Sequence, residues 1–156
     1  AAMSSHSWSL SRALLVAILD DRLSDRFVAS LVWERLGYLP SEDGAGPWLA
    51  GPATPAAWGE AFPEAPQVIA VRPASVRLTR SIPKQSKQLL KQQLQFGGYR
   101  INELYPRRTR RAMAVNWLLA WLVSAGELLP EEGALPPLLD APADPVRGHP
   151  GDPPVE

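Results

Sequence analysis

Cysteine is absent from the 156 residues. That excludes a disulfide framework, a thiolate metal site and a cysteine nucleophile. Histidine is almost absent: His6 and His149 stand near opposite ends of the chain. A buried histidine site is therefore not expected, and both should be solvated and inert. No apolar run approaches the ~18 residues of a membrane span. The longest, residues 112–125, is shorter and contains Asn116. No signal peptide is recognisable, because the apolar run Leu14–Leu19 stops at Asp20 and Asp21. Ala1 and Ala2 read as a vector remnant ahead of a natural start at Met3. Phosphate-loop, His-Glu-x-x-His and Gly-x-Ser-x-Gly patterns are also missing; Gly97-Gly98 lacks the spacing and the Lys-Ser/Thr of a phosphate loop. Asp20, Asp21 and Asp25 cluster at a helix junction, where solvated helix-end acids are the usual occupants. Nothing assembles a nucleophile, a base and an orienting group. The expectation is a protein without catalysis, cofactor or metal, located in the cytoplasm.

What the chain does contain is apolar mass and a partitioned charge. With 46% hydrophobic residues and six Trp, a core is affordable within one domain. The formal net charge is zero, yet residues 72–111 hold eleven of the sixteen Lys and Arg against one acid, Glu103. That stretch carries +10, whereas residues 1–71 carry −4 and residues 112–156 carry −6.

Taken in order, residues 8–22 show Leu10, Leu14, Ala17 and Ile18 at helical spacing, with Ser9 or Ser11 as cap. A second helix follows Ser24, with Asp25 in its first turn and Gly37 beyond its end. Residues 39–66 are broken by Pro and Gly but hold Trp48, Trp58 and Phe62. They read as an ordered loop with a short helical turn near 55–62. Residues 67–80 alternate, with Val76 and Leu78 opposed to Arg77 and Thr79, and predict a small β-hairpin. Residues 82–96 predict a third helix, Lys84, Lys87 and Lys91 sharing its outer side. Residues 106–124 form the most apolar helix, with Pro106 in its first turn and Trp117 and Trp121 in the core. Asn116 on that helix needs a hydrogen-bond partner and is expected to orient residues 97–105. Residues 129–156 contain eight Pro and no aromatic residue, and are expected to be largely disordered apart from a docking turn at Leu135–Leu139.

Arg107, Arg108, Arg110 and Arg111 open the apolar helix. Cations at a helix N-terminus are unfavourable by about 0.3–1 kcal/mol each. Four of them point to a use outside helix stability. Free N–H groups and guanidinium forks together make an anion site for phosphate or for a partner's carboxylates. The alternative is internal: pairing with Glu103, Asp20, Asp21 or the acidic tail. Phe96, Tyr99 and Tyr105 interleave with the cations as base-stacking residues would, although aromatics beside Gly-Gly and Pro more often anchor helix ends.

The run from Lys87 to Trp121, with Gly97-Gly98-Tyr99-Arg100 and Pro106-Arg107-Arg108-Thr109-Arg110-Arg111 at its centre, resembles a small domain family of unknown function from cyanobacteria and plant plastids. Trp33-Glu34-Arg35-Leu36-Gly37-Tyr38 is also similar to it. The resemblance spans roughly residues 8–125. It implies a photosynthetic cell, in cytoplasm or stroma, and carries over no catalytic residue.

The fold expected is mainly α: one domain over residues 8–128, of about four helices with a hairpin at 67–80, followed by a disordered tail, 129–156. The function expected is that of an accessory or regulatory protein. Its basic face (Arg77, Arg80, Lys84, Lys87, Lys91, Arg100, Arg107, Arg108, Arg110 and Arg111) would bind an acidic protein partner. Nucleic-acid binding through the same face is the alternative, and a sensor or enzyme for a phosphorylated metabolite is a third reading.

Overall fold

In the computed structural model, residues 8–156 are described; His6 and the residues ahead of it lie outside them. Among the described residues six α-helices form: α1 (Arg12–Leu19), α2 (Asp25–Arg35), α3 (Ala56–Ala61), α4 (Arg72–Ser81), α5 (Leu89–Leu94) and α6 (Pro106–Ser124). The first two start where the sequence signals it. Ser11 Oγ accepts the Leu14 N–H at 3.1 Å, and Ser24 Oγ accepts the Phe27 N–H at 3.1 Å. Each such cap is worth ~1 kcal/mol.

Helix α6 is the hub, packing against α1, α2, α4 and α5. Ala114, Val115, Leu118 and Leu119 are fully excluded from solvent, together with Leu14, Ile18, Val28 and Leu31 of the first two helices. Each large aliphatic side chain so buried contributes about 1.5–3 kcal/mol. Trp58 and Trp117 are buried, and Trp33 meets Trp48 with ring centroids 5.4 Å apart. Trp121 is half-buried, with the Arg35 guanidinium 5.3 Å from its ring centre.

Two expectations about regular structure fail for identifiable reasons. In place of the hairpin at 67–80 stand a turn over 67–71 and helix α4: no strand occurs among the described residues, and the isolated bridges Leu39–Leu49 and Leu49–Glu64 belong to the preceding loop. Pro73 sits in the first turn of α4, where its missing N–H costs nothing. Ala74 and Leu78, four apart, face the core, while Val76 is 38% exposed. The apparent alternation of Val76 and Leu78 was one sampling of a 3.6-residue period.

The helix expected over 82–96 is broken in two. Residues Lys84–Ser86 make a 3-10 turn and α5 begins at Leu89. The cause is Asn116. Its Nδ2 donates to the Ser86 carbonyl at 2.9 Å and its Oδ1 accepts the Leu90 N–H at 3.2 Å. In an unbroken helix that N–H and that carbonyl would bond each other. The buried amide stands between them, a recognised way of interrupting a helix. Asn116 therefore orients residues 86–90, not 97–105.

The tail also departs from expectation. Residues 129–156 form no helix or strand, but they are tied to the body. Pro130 and Glu131 carbonyls accept the Arg12 and Ala13 N–H groups at the start of α1, at 2.8 and 3.1 Å. Leu139 N–H donates to Arg22 O at 2.9 Å, and Glu156 N–H to Ala70 O at 2.9 Å. Proline prevents regular structure here without preventing attachment, since the open N–H groups at the start of α1 and the carbonyls of Arg22 and Ala70 are partners enough.

Candidate functional site

The arginine cluster divides by helical phase. Arg107 and Arg111, four residues apart, point inward from the first two turns of α6 and are 1% and 2% exposed. They face the junction of α1 and α2, where Asp21 stands in the link and Asp25, four residues on, opens α2. Arg107 donates to both Asp21 oxygens at 2.7 and 2.8 Å and to Asp25 Oδ2 at 3.0 Å. Arg111 reaches Asp25 Oδ1 at 2.6 Å, and also donates to the Ile18 and Leu23 carbonyls at 2.9 and 2.8 Å. Two guanidiniums thus balance two carboxylates and join three helices. Burial acts to raise the Asp21 carboxyl, but the Arg107 hydrogen bond and the charges of Arg111 and Arg107 outweigh it and hold it below its ordinary 3.8. Burial likewise opposes the Arg107 charge, yet its bonds to Asp21 and Asp25 hold it more firmly protonated than usual.

His149 completes this cluster and is neither solvated nor remote. It is buried, its Nε2 3.0 Å from the Asp21 carbonyl and 3.1 Å from Asp21 Oδ1. Its position late in a proline-rich segment concealed this, because the tail returns to the α1–α2 link. Asp20 stays exposed.

The other two arginines are half-buried and spoken for. Arg108 bonds Glu103 at 3.0 Å and lies 5.0 and 4.9 Å from the ring centres of Tyr99 and Tyr105. Arg110 donates to the Ile69 and Glu156 main-chain oxygens, both at 2.8 Å. Its pKa is lowered by burial and by the neighbouring Arg72 charge.

The remaining cations differ. Arg80, Lys84, Lys87, Lys91 and Arg100 are exposed and Arg77 half-buried. None of the six makes an ion pair or side-chain hydrogen bond with another described residue. The three lysines are not on one helix: Lys84 lies on the 3-10 turn, Lys87 follows it and Lys91 is on α5. Beside Arg77 and Arg80, a depression of about 680 Å³ opens between α3 and α4, floored by Trp58, Phe62, Pro73 and Val76. It adjoins a second of about 400 Å³ between Pro55, Pro83 and Trp121, which shares Ala57, Trp58 and Ser81. Sequence reading missed this groove, because the hairpin expectation placed Pro73 and Val76 elsewhere.

Comparison with known proteins agrees with the helical architecture. The profile of a family described as "Domain of unknown function (DUF1823)" matches residues 9–123. The chain belongs to this family. A solved structure, described as "Solution NMR structure of the protein", is similar at 48% identity with a TM-score of 0.64, covering 76% of this chain and 98% of its own. No match was found among the curated proteins. The DUF1823 domain contains Asp21, Asp25, Arg107, Arg111 and all six unpaired cations, whereas His149 and the tail lie beyond the family match. Among the described residues no helix is long and apolar enough to cross a membrane.

Proposed function

We propose that this DUF1823 protein is a non-enzymatic accessory or regulatory protein that binds an acidic protein partner. The contact is made through Arg77, Arg80, Lys84, Lys87, Lys91 and Arg100. The observation that carries this is the lack, among the described residues, of any internal counter-charge for these side chains, in a molecule that pairs Arg107, Arg108 and Arg111 with its own carboxylates. Unpaired cations steer an acidic surface and fix its register, while the apolar groove beside Arg77 and Arg80 supplies the buried anchor that affinity requires. A photosynthetic cell, in cytoplasm or stroma, is the setting we propose for that partner, and only the resemblance stated above supports it.

Nucleic acid is less well served. Phe96 and Tyr99 are packed edge to face at 5.0 Å, and Tyr99 and Tyr105 sit beneath Arg108, so their faces are committed. A phosphorylated metabolite would lack Arg107 and Arg111, which are enclosed.

The test is capture from a native lysate of a photosynthetic cell with two baits, the wild type and a variant with Arg77, Arg80, Lys84, Lys87 and Lys91 all changed to Glu. Acidic proteins held by the first and lost from the second are expected. Recovery of the same set by both overturns the proposal. Salt-sensitive capture of nucleic acid instead promotes the alternative.

A further inference from the structure

The segment beyond the family match fits the domain in a specific way. Asp152 accepts the Asp25 and Arg26 N–H groups of α2 at 3.1 and 3.4 Å and the Arg26 Nε–H at 3.0 Å. Arg26 Nη2 also donates to the Pro150 carbonyl at 2.9 Å. Arg107, already engaged with Asp21 and Asp25, gives a further bond to the Pro145 carbonyl at 3.0 Å. The main-chain oxygen of Glu156 accepts from Arg110 at 2.8 Å. The Asp152 side chain is fully enclosed, and its α2 terminus belongs to an eleven-residue helix.

Two glycines make this fit possible. Gly148 has φ +100°, and a Cβ there would lie 2.7 Å from Arg107 Nε. Gly151 has φ +87°, and its Cβ would lie 2.9 Å from Arg26 Nη1. Any side chain would both strain the backbone and strike a guanidinium. The run Gly148-His149-Pro150-Gly151-Asp152 thus lies flush on two arginines and ends in a carboxylate at a helix N-terminus.

Release of the tail parts Asp152 from Arg26 and His149 from Asp21, but the charges in the interior stay balanced. Arg107 and Arg111 neutralise Asp21 and Asp25 whether or not the tail is present. The bonds from Arg26 to Asp152 and Pro150 and from Arg110 to Glu156 are polar and open to water. A depression of about 500 Å³ remains between Pro106, Arg107, Val146, Asp152 and Val155, so the seam is incompletely filled.

We infer that Arg26, the first N–H groups of α2, Arg107 and Arg110 form a docking groove for an extended Gly- and Pro-rich segment bearing an aspartate. Residues 144–156 occupy it in cis, and a segment of that chemistry on another protein binds by displacing them. This groove is separate from the cations at 77–91.

The test uses the full chain and a fluorophore-labelled peptide of residues 142–156. Gly148→Val with Gly151→Val releases the tail without altering charge. The peptide should bind the released variant at least about tenfold more tightly than the wild type, where a tethered competitor acts at high effective concentration. Adding Arg26→Ala should remove the gain, and Arg77→Glu with Arg80→Glu should leave it intact. Hydrogen exchange at the Asp25 and Arg26 amides should quicken in the released variant and slow again with peptide. Equal peptide binding by wild type and released variant, indifference to Arg26→Ala, or loss with Arg77→Glu and Arg80→Glu overturns the inference.

Discussion

Arg111 Nη1 and Asp25 Oδ1 meet at 2.6 Å in the interior, eighty-six residues apart in sequence, and pin the first turn of α2 to α6. A charge placed against the helix dipole is tolerated here because a second helix presents its acids to it. Removing one member of such a buried pair leaves the other uncompensated. Arg111→Ala or Asp25→Ala should therefore lower stability by about 3–5 kcal/mol in urea unfolding. Arg108→Ala, at a more open site with a partly exposed Glu103, should cost no more than about 1 kcal/mol. Similar losses at the two sites would contradict the division into internal and surface arginines.

Acid should loosen the same junction. The Asp21 carboxyl titrates below its ordinary 3.8 in the folded chain. Its stabilising contribution is then complete above that value and is lost as pH falls through the lower folded-state value. Urea midpoints followed from pH 5 to pH 2 should decline most steeply at the acid end, and Asp21→Asn should flatten that decline. An equally steep decline in the variant would assign the acid sensitivity to other carboxylates.

The break between the 3-10 turn and α5 depends on one amide. Asn116→Ala leaves the Ser86 carbonyl and the Leu90 N–H without the partner they now share. The expected cost is about 1–3 kcal/mol by equilibrium unfolding. A smaller loss, together with new protection of the Leu90 amide, would mean that the two groups had bonded each other.

Helix and hairpin make opposite predictions at two neighbouring apolar residues. A strand puts Val76 and Leu78 on one face, whereas α4 buries Leu78 and leaves Val76 38% exposed. Leu78→Ala should cost about 2–5 kcal/mol. Val76→Ala should stay within about 0.5 kcal/mol. Comparable losses at both would favour the extended conformation.

Where the signal was local, the sequence could be read. Ser24, Pro106 and the apolar period of 106–124 place α2 and α6 correctly, because caps and amphipathic spacing act within a turn or two. What escaped was long-range. That Asn116 would interrupt residues 86–90, or that His149 would return to Asp21, depends on contacts between distant segments. The charge pairing lay between these cases. Asp21 and Asp25 repeat the four-residue spacing of Arg107 and Arg111, and that match was a usable sign of two complementary helix ends. The groove at Trp58 and Phe62 could not be found while Pro73 and Val76 were assigned to the turn and second strand of a hairpin.

The central claim is that the cations at 77–91, and not the arginines at 107 and 111, meet the partner. Its most direct test is the affinity of a captured acidic partner at about 50 and about 200 mM salt, for the wild type and for Arg77→Glu, Arg80→Glu and Lys84→Glu together. The account predicts strong weakening with salt for the wild type, and weak, nearly salt-independent binding for the variant at an unchanged unfolding midpoint. Equal affinities and equal salt dependence for the two proteins would contradict it.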